Sequence, residues 1–154
     1  MLRLSKLTDY GTVLLAELAQ EPASLRSAAE LAEKTRLALP TVSKLLKLLT
    51  RGGLVNSTRG AQGGYTLARD PGAISAVQII DAIEGPVAIT ECSSDHSNCN
   101  LQANCGVGTN WQRINIAIRE ALQDIKLAQL ARPVTQTNRA IKINLNSIKH
   151  TSTR

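Results

Sequence analysis

The sequence predicts a mainly α-helical fold with one small β-hairpin and a long helix near its C-terminal end. Three observations carry that expectation. Apolar residues rich in Ala and Leu, both good helix formers, recur every three or four positions over much of the chain. Glycines at Gly52-Gly53 and Gly60-Ala61-Gln62-Gly63-Gly64 flank and divide two short β-prone runs. Ser27, Ser75 and Thr109 each stand three residues ahead of a Glu or Gln, the spacing of a capping box at a helix start.

Taken in order, Leu4, Leu7, Leu14, Leu15 and Leu18 fall mostly at helical spacing and predict a first helix over residues 4–20, which Glu21-Pro22 ends. Ser27 and Glu30 open a short helix that runs to about Thr35. Leu37-Ala38-Leu39 makes a turn. Pro40 suits the first turn of a third helix, where a missing N–H costs nothing. That helix runs to about Arg51 with Val42, Leu45, Leu46 and Leu49 on its buried face, and Gly52-Gly53 stops it. Residues 54–57 and 65–68 read as the strands of a hairpin with a glycine-rich tip. Ser75 and Gln78 open a helix to about Glu84. Residues 86–108 show no periodicity and hold all three cysteines. Thr109 and Gln112 then read as a third capping box. Behind it Trp111, Ile114, Ile118, Ala121 and Ile125 line one face of a helix running to about Leu130, which Pro133 ends. Residues 132–154 are polar and basic; they read as a mostly disordered tail with room for a short helix at 139–148.

The 154 residues suit one domain with an appended element, and 43% hydrophobic content is enough for a core. With no Phe, one Trp and two Tyr, aliphatic side chains must build it. The net charge of +6 is unevenly spread: residues 1–69 hold ten Lys/Arg against five Asp/Glu, residues 70–131 three against seven, and residues 132–154 five against none. Seven basic residues and no acid lie from Lys34 to Arg69. Such a stretch suggests an anionic partner, nucleic acid or membrane surface. No apolar run approaches the roughly 20 residues of a membrane span, and the first residues lack the apolar segment of a signal peptide. The expected location is the cytoplasm, where clustered cysteines point to a metal or redox role rather than disulfides.

Two short helices, a tight turn and a β-hairpin follow the order of a winged helix–turn–helix, placed here at residues 1–85. In that arrangement the second helix of the pair enters the major groove of double-stranded DNA, and Thr41, Ser43, Lys44 and Lys47 are its candidate base-reading residues. Arg59, on the hairpin tip beside glycines that let backbone approach phosphate, suits a narrow minor groove. Lys6, Arg36, Arg51 and Arg69 are candidate phosphate contacts.

Cys92, Cys99 and Cys105 lie in the loop of residues 86–108. Their wide spacing lacks the paired knuckles of a zinc site and suits an iron–sulfur cluster, 2Fe-2S or 4Fe-4S. Three thiolates leave one ligand to find: His96 in the loop, a residue elsewhere in the chain, or one from a partner chain. Enzyme readings fare poorly. There is no Cys-x-x-Cys motif, and only two histidines are present, so neither a thiol oxidoreductase nor a hydrolytic triad is expected, and no small-molecule substrate is implied. A cluster carrier without DNA binding is opposed by the acid-free basic stretch.

Four stretches together resemble a known family. They are the start Leu4-Ser5-Lys6-Leu7-Thr8-Asp9-Tyr10-Gly11, the hairpin from Gly53-Leu54-Val55 through Arg59-Gly60 to Gly64-Tyr65-Thr66-Leu67, the segment Ile79-Ile80-Asp81-Ala82-Ile83-Glu84-Gly85, and the three-cysteine loop. Over about residues 1–130 the chain resembles the Rrf-type winged-helix regulators of bacteria, with their IscR, NsrR and SUF-operon branches. The resemblance implies a homodimer formed by the long helix at 109–131, a two-fold DNA operator, and a cluster on Cys92, Cys99 and Cys105. It also implies repression of iron–sulfur assembly genes, since the extended start looks most like the SUF-operon regulators. The alternative within the family is a nitric-oxide or redox sensor. In the IscR branch a histidine three residues past the last cysteine is the fourth ligand; here that position is Gly108. In the NsrR branch an aspartate near the start of the first helix, given by the partner subunit, completes the site, and Asp9 occupies that position, with His96 as the runner-up.

Overall fold

A computed structural model describes residues 4–60, 62–88 and 107–132. The elements are α1 (Lys6–Leu18), α2 (Ala28–Thr35), α3 (Leu39–Arg51), β1 (Val55–Thr58), β2 (Gly64–Leu67), a single 3-10 turn (Pro71–Ala73), α4 (Ala76–Glu84), α5 (Gly108–Asp124) and α6 (Leu127–Leu130). The expected mainly helical fold with one antiparallel hairpin is therefore present. The tail beyond Arg132 and the cysteine-bearing residues 89–106 lie outside the described residues.

The core is aliphatic, as the composition demands. Leu14, Leu15 and Leu18 of α1, Leu31 of α2 and Val42, Leu45, Leu46 and Leu49 of α3 are all buried, and the hairpin closes one side with Val55 and Leu67. Each fully buried Leu contributes roughly 1.5–3 kcal/mol relative to exposure, so this cluster sets how α1, α2 and α3 cross.

Local signals fix the helix ends. The box of Ser27 and Glu30 opens α2, and that of Ser75 and Gln78 opens α4. The Ser27 backbone N–H, which donates to it at 2.7 Å, and then the Ser27 side chain hold the Glu30 carboxyl below the usual carboxylate range. The C-terminus of α3 is a Schellman motif. Gly53, at φ 67°, donates to the Thr50 carbonyl, and Leu54 donates to the Leu49 carbonyl at 2.9 Å. Leu54 thus belongs to the helix stop, and the paired strands start one residue later than the expected 54–57. At the other side Gly64 replaces Ala68 in the ladder, where it faces Thr58.

The C-terminal part departs from the expected single helix. Helix α5 begins at Gly108 with Val107 as its cap, so the Thr109 and Gln112 box does not form. The helix also stops at Asp124, and Ile125 is extended, at φ −81° and ψ 122°. Its carbonyl accepts from Ala76, Leu127 donates to the Ile74 carbonyl, and Ser75 and Lys126 form an isolated antiparallel bridge. The break lets Leu127 enter the core, where it is fully buried. A periodic pattern could not show this, because the competing partner is a strand-like segment some fifty positions earlier in the chain. The expected apolar face also divides. Beyond Gly108, the buried or half-buried residues of α5 are Asn115, Ile118, Arg119 and Leu122, and that side meets α4; Trp111, Ile114 and Ile116 stay exposed.

If Leu127 pins the C-terminal segment, Leu127→Ala lowers unfolding stability by about 2–5 kcal/mol, read by urea denaturation. A loss below about 0.5 kcal/mol would show that the segment packs without it.

Candidate nucleic-acid interface and sensor site

Helix α3 presents two unlike faces. Its apolar residues are buried, whereas Pro40, Ser43, Lys44, Lys47 and Arg51 are exposed and recur at the spacing of a single stripe; Thr41 is half-buried at the stripe's edge. The first turn of α3 contains no acid, and Ala38 offers no side-chain cap. Pro40 has no N–H and Thr41 donates to the Ala38 carbonyl at 2.9 Å, so within this turn it is the Leu39 amide that stands at the positive end of the helix dipole. The missing capping residue at position 38 was visible in the sequence but not singled out. So was Leu39, expected in the turn but standing in the first turn of α3 with 47% of its surface exposed.

Arg36 closes α2 in the left-handed conformation, at φ 57° and ψ 27°. It is the one non-glycine residue with positive φ among those described. A β-carbon there costs about 1–2 kcal/mol relative to right-handed backbone, which the turn between α2 and α3 imposes. The side chain is exposed.

The hairpin is fixed to the helix pair by its own backbone. Arg26, just before α2, exchanges two hydrogen bonds with Tyr65, at 3.1 and 2.8 Å. A β-carbon on Gly63 would lie 2.3 Å from the Thr58 carbonyl oxygen, and one on Gly64 2.8 Å from that of Arg26. Gly63 answers to a close approach within the hairpin, and Gly64 to one between the hairpin and the segment before α2. Arg59 follows β1 at the tip and is exposed.

Of the seven cations between Lys34 and Arg69, Lys34 pairs with Glu17 of α1 at 3.3 Å. Among the described residues, Arg36, Lys44, Lys47, Arg51, Arg59 and Arg69 enter no ion pair. Lys6 lies on a different surface. It lines an open, largely apolar groove of about 480 Å³ between α1, α4, α5 and α6, together with Asp9, Ile80, Leu122 and Leu130. No residue of α3 or of the hairpin lines that groove.

Asp9 is exposed in the first turn of α1. That turn is held by the far end of α4: Glu84 Oε1 accepts from the Ser5 backbone N–H at 2.9 Å and from the Thr8 hydroxyl. These bonds hold the Glu84 carboxyl below the usual carboxylate range. One turn earlier, Asp81 accepts two bonds from the Arg119 guanidinium, at 3.1 and 2.8 Å, and one from the Val87 backbone at 3.0 Å. Cys92, Cys99, Cys105 and His96 lie outside the described residues. Among the described residues no three His, Cys, Asp or Glu side chains gather closely enough to hold a metal ion, so Asp9 is the one expected ligand whose surroundings are defined.

A family model described as "Rrf2: Iron-dependent Transcriptional regulator" matches residues 4–133. The chain belongs to the Rrf2 family. It is 34% identical over 134 residues to the transcriptional regulator CymR of Bacillus subtilis, covering 84% of this chain and 90% of that one. It is 30% identical over 133 residues to the regulator IscR of Vibrio cholerae, covering 84% and 75%. The fold is similar to the solved structure of B. subtilis CymR, named there the global cysteine regulator, with a TM-score of 0.64 at 33% identity over 85% of this chain and 97% of that one. It is also similar to T. potens IscR, with a TM-score of 0.63 at 30% identity over 90% and 94%. As an Rrf2 protein the chain is a DNA-binding transcriptional regulator and not an enzyme. No helix among the described residues is long and apolar enough to cross a membrane.

Arg36→Gly separates folding from DNA contact. Relief of the left-handed strain offsets the greater freedom of glycine in the unfolded chain, so stability should stay within about 1 kcal/mol of the parent. Affinity for DNA should fall, and the slope of log K against log salt should shrink by about one. An unchanged slope would remove Arg36 from the interface.

Proposed function

We propose that the chain is a homodimeric repressor that reads a two-fold operator and senses an iron–sulfur cluster. The unpaired cationic face shared by α3, the turn before it and the hairpin tip carries the DNA half of this reading. Ser43, Lys44 and Lys47, with Thr41 at the edge, are placed to meet base edges from the major groove. The side chains of Arg36 and Arg51 bind phosphates. Arg59 enters the flanking minor groove. Leu39 offers an apolar contact suited to a thymine methyl group. Lys6, on the groove away from this face, would contact phosphate only by way of a flanking stretch of DNA.

The cofactor half rests on the sequence of the three thiols and on the exposure of Asp9. Cys92, Cys99 and Cys105 would hold the cluster and Asp9 of the partner subunit would complete it, with His96 the competing donor. When bound, the cluster supplies thiolate-ligated iron whose redox state and integrity respond to iron supply and oxidants. Asp9 is free to serve in this way because it is exposed beside a groove open to solvent. The exposed Trp111 and Ile114 of α5 supply apolar surface for the dimer. The regulated genes would be those of iron–sulfur assembly. A second reading, a regulator responding to cysteine metabolism, is favoured by the 34% identity to CymR.

Anaerobic purification with iron and acid-labile sulfide analysis decides between them. The cluster reading expects both elements in the protein, their loss in Cys92→Ala, Cys99→Ala and Cys105→Ala, a labile cluster in Asp9→Ala, and little change in His96→Ala. Iron-free protein with full operator affinity would favour the cysteine reading. Cluster loss in His96→Ala with an unchanged spectrum in Asp9→Ala would move the fourth ligand into the loop.

The interface is tested separately. Ile114→Glu, which places a charge on an exposed apolar position, should give monomers by light scattering and abolish tight operator binding. A dimer of unchanged affinity would place the interface elsewhere.

A further inference from the structure

Three helices open with a serine that caps its own N3 amide, and they differ in what caps the serine. In α2 and α4 the reciprocal acceptor is local, Glu30 and Gln78. In α1 the N3 residue is Thr8, whose side chain bonds elsewhere. The acceptor for the Ser5 N–H is Glu84, 79 residues away at the last residue of α4. The box is complete, but one member belongs to another helix. The first turn of α1 is therefore held as designed only while the end of α4 stays where it is.

The end of α4 is itself tied on two further sides. Asp81, one turn before Glu84, accepts from Val87, where the chain leaves α4 toward the cysteines, and from Arg119 of α5, in the helix that follows them. Both flanks of the cysteine segment thus converge on the same turn that holds the start of α1.

We propose that Glu84 is a positioning residue that locks the first turn of α1, with Lys6 and Asp9, to the last turn of α4, so that a displacement at Val87 or Arg119 is passed to that turn. Asp81 is the receiving end and Glu84 the transmitting end. For Asp9 as a ligand the idea rests on the function proposed above; the mechanical link does not.

The test uses the full-length protein and peptide-level hydrogen exchange over residues 4–12, with residues 39–51 as the internal reference. Glu84→Ala should raise exchange in the α1 peptide by about tenfold or more while the α3 peptide stays unchanged. Thr8→Val should do so in part. Glu84→Gln, which keeps an acceptor oxygen, should restore most of the protection. Arg119→Met should also raise α1 exchange in the parent yet add nothing in the Glu84→Ala background, because the link is already cut. An α1 peptide unmoved by Glu84→Ala, or effects of Arg119→Met and Glu84→Ala that simply add, overturns the proposal. Iron analysis of the parent reads the cluster separately: an iron-free parent sinks the sensing function and leaves the exchange result to decide the link. In iron-loaded protein, Glu84→Ala should further bring the ratio of operator affinities, loaded over cluster-free, toward one. A retained ratio would limit Glu84 to stability.

Discussion

Helix α3 must satisfy two solvents at once, and the rest of the fold is arranged around that demand. Val42, Leu45, Leu46 and Leu49 are wholly buried, while Ser43, Lys44, Lys47 and Arg51 project from the opposite side. A helix so divided cannot rotate by even a quarter turn without burying ammonium groups or wetting leucines. Either error costs several kcal/mol. Its rotation is therefore fixed by the core, and the exposed stripe inherits that rigidity. The Schellman stop at Gly53 and Leu54 then fixes where β1 starts, and the Arg26–Tyr65 pair ties the hairpin back to the entrance of α2. Arg59 stands at a set distance from the stripe through covalent chain, backbone bonds and the buried side chains of Val55 and Leu67.

Much of this was legible in the sequence because its causes are local. The capping boxes at Ser27 and Ser75, Pro40 in the first turn of α3 and the paired glycines after Arg51 each act within five residues, and each helix end they mark lies within one residue of where they put it. Amphipathic spacing gave the buried side of α3 for the same reason. What escaped was non-local. The Thr109 and Gln112 box failed because α5 starts two residues too early for it. The break at Ile125 follows from backbone partners at Ile74 and Ala76, which no window of twenty residues contains. Asn115, a polar residue on the side of α5 that meets α4, could not be seen by a search for apolar stripes.

The candidate site divides along the same line. The residues on α3, the turn and the hairpin tip could be named from the sequence because a helix pair and a hairpin place their side chains by rule. Their freedom from acids was equally readable, except that Lys34 is taken up by Glu17 of the neighbouring helix. Lys6 was grouped with them on charge alone, and the fold sets it on the groove beside Asp9 instead. Charge composition identifies a class of partner, whereas the surface a cation occupies depends on tertiary packing.

The two functional surfaces are also held with different firmness. The proposed DNA-facing surface rests on aliphatic burial, which is insensitive to small shifts and to salt. The start of α1, the end of α4 and the middle of α5 are joined instead by Glu84, Asp81 and Arg119, directional bonds between partly exposed groups. Bonds of that kind net about 0.5–3 kcal/mol each and are lost with a displacement of about 1 Å. A regulator needs both kinds. In the function proposed above the reading head would keep its shape in every state, and the element that reports on the cysteine segment would change at a cost small enough for a bound cofactor to meet. The division between burial on one side of α1 and hydrogen bonds at its first turn meets that requirement within a single helix.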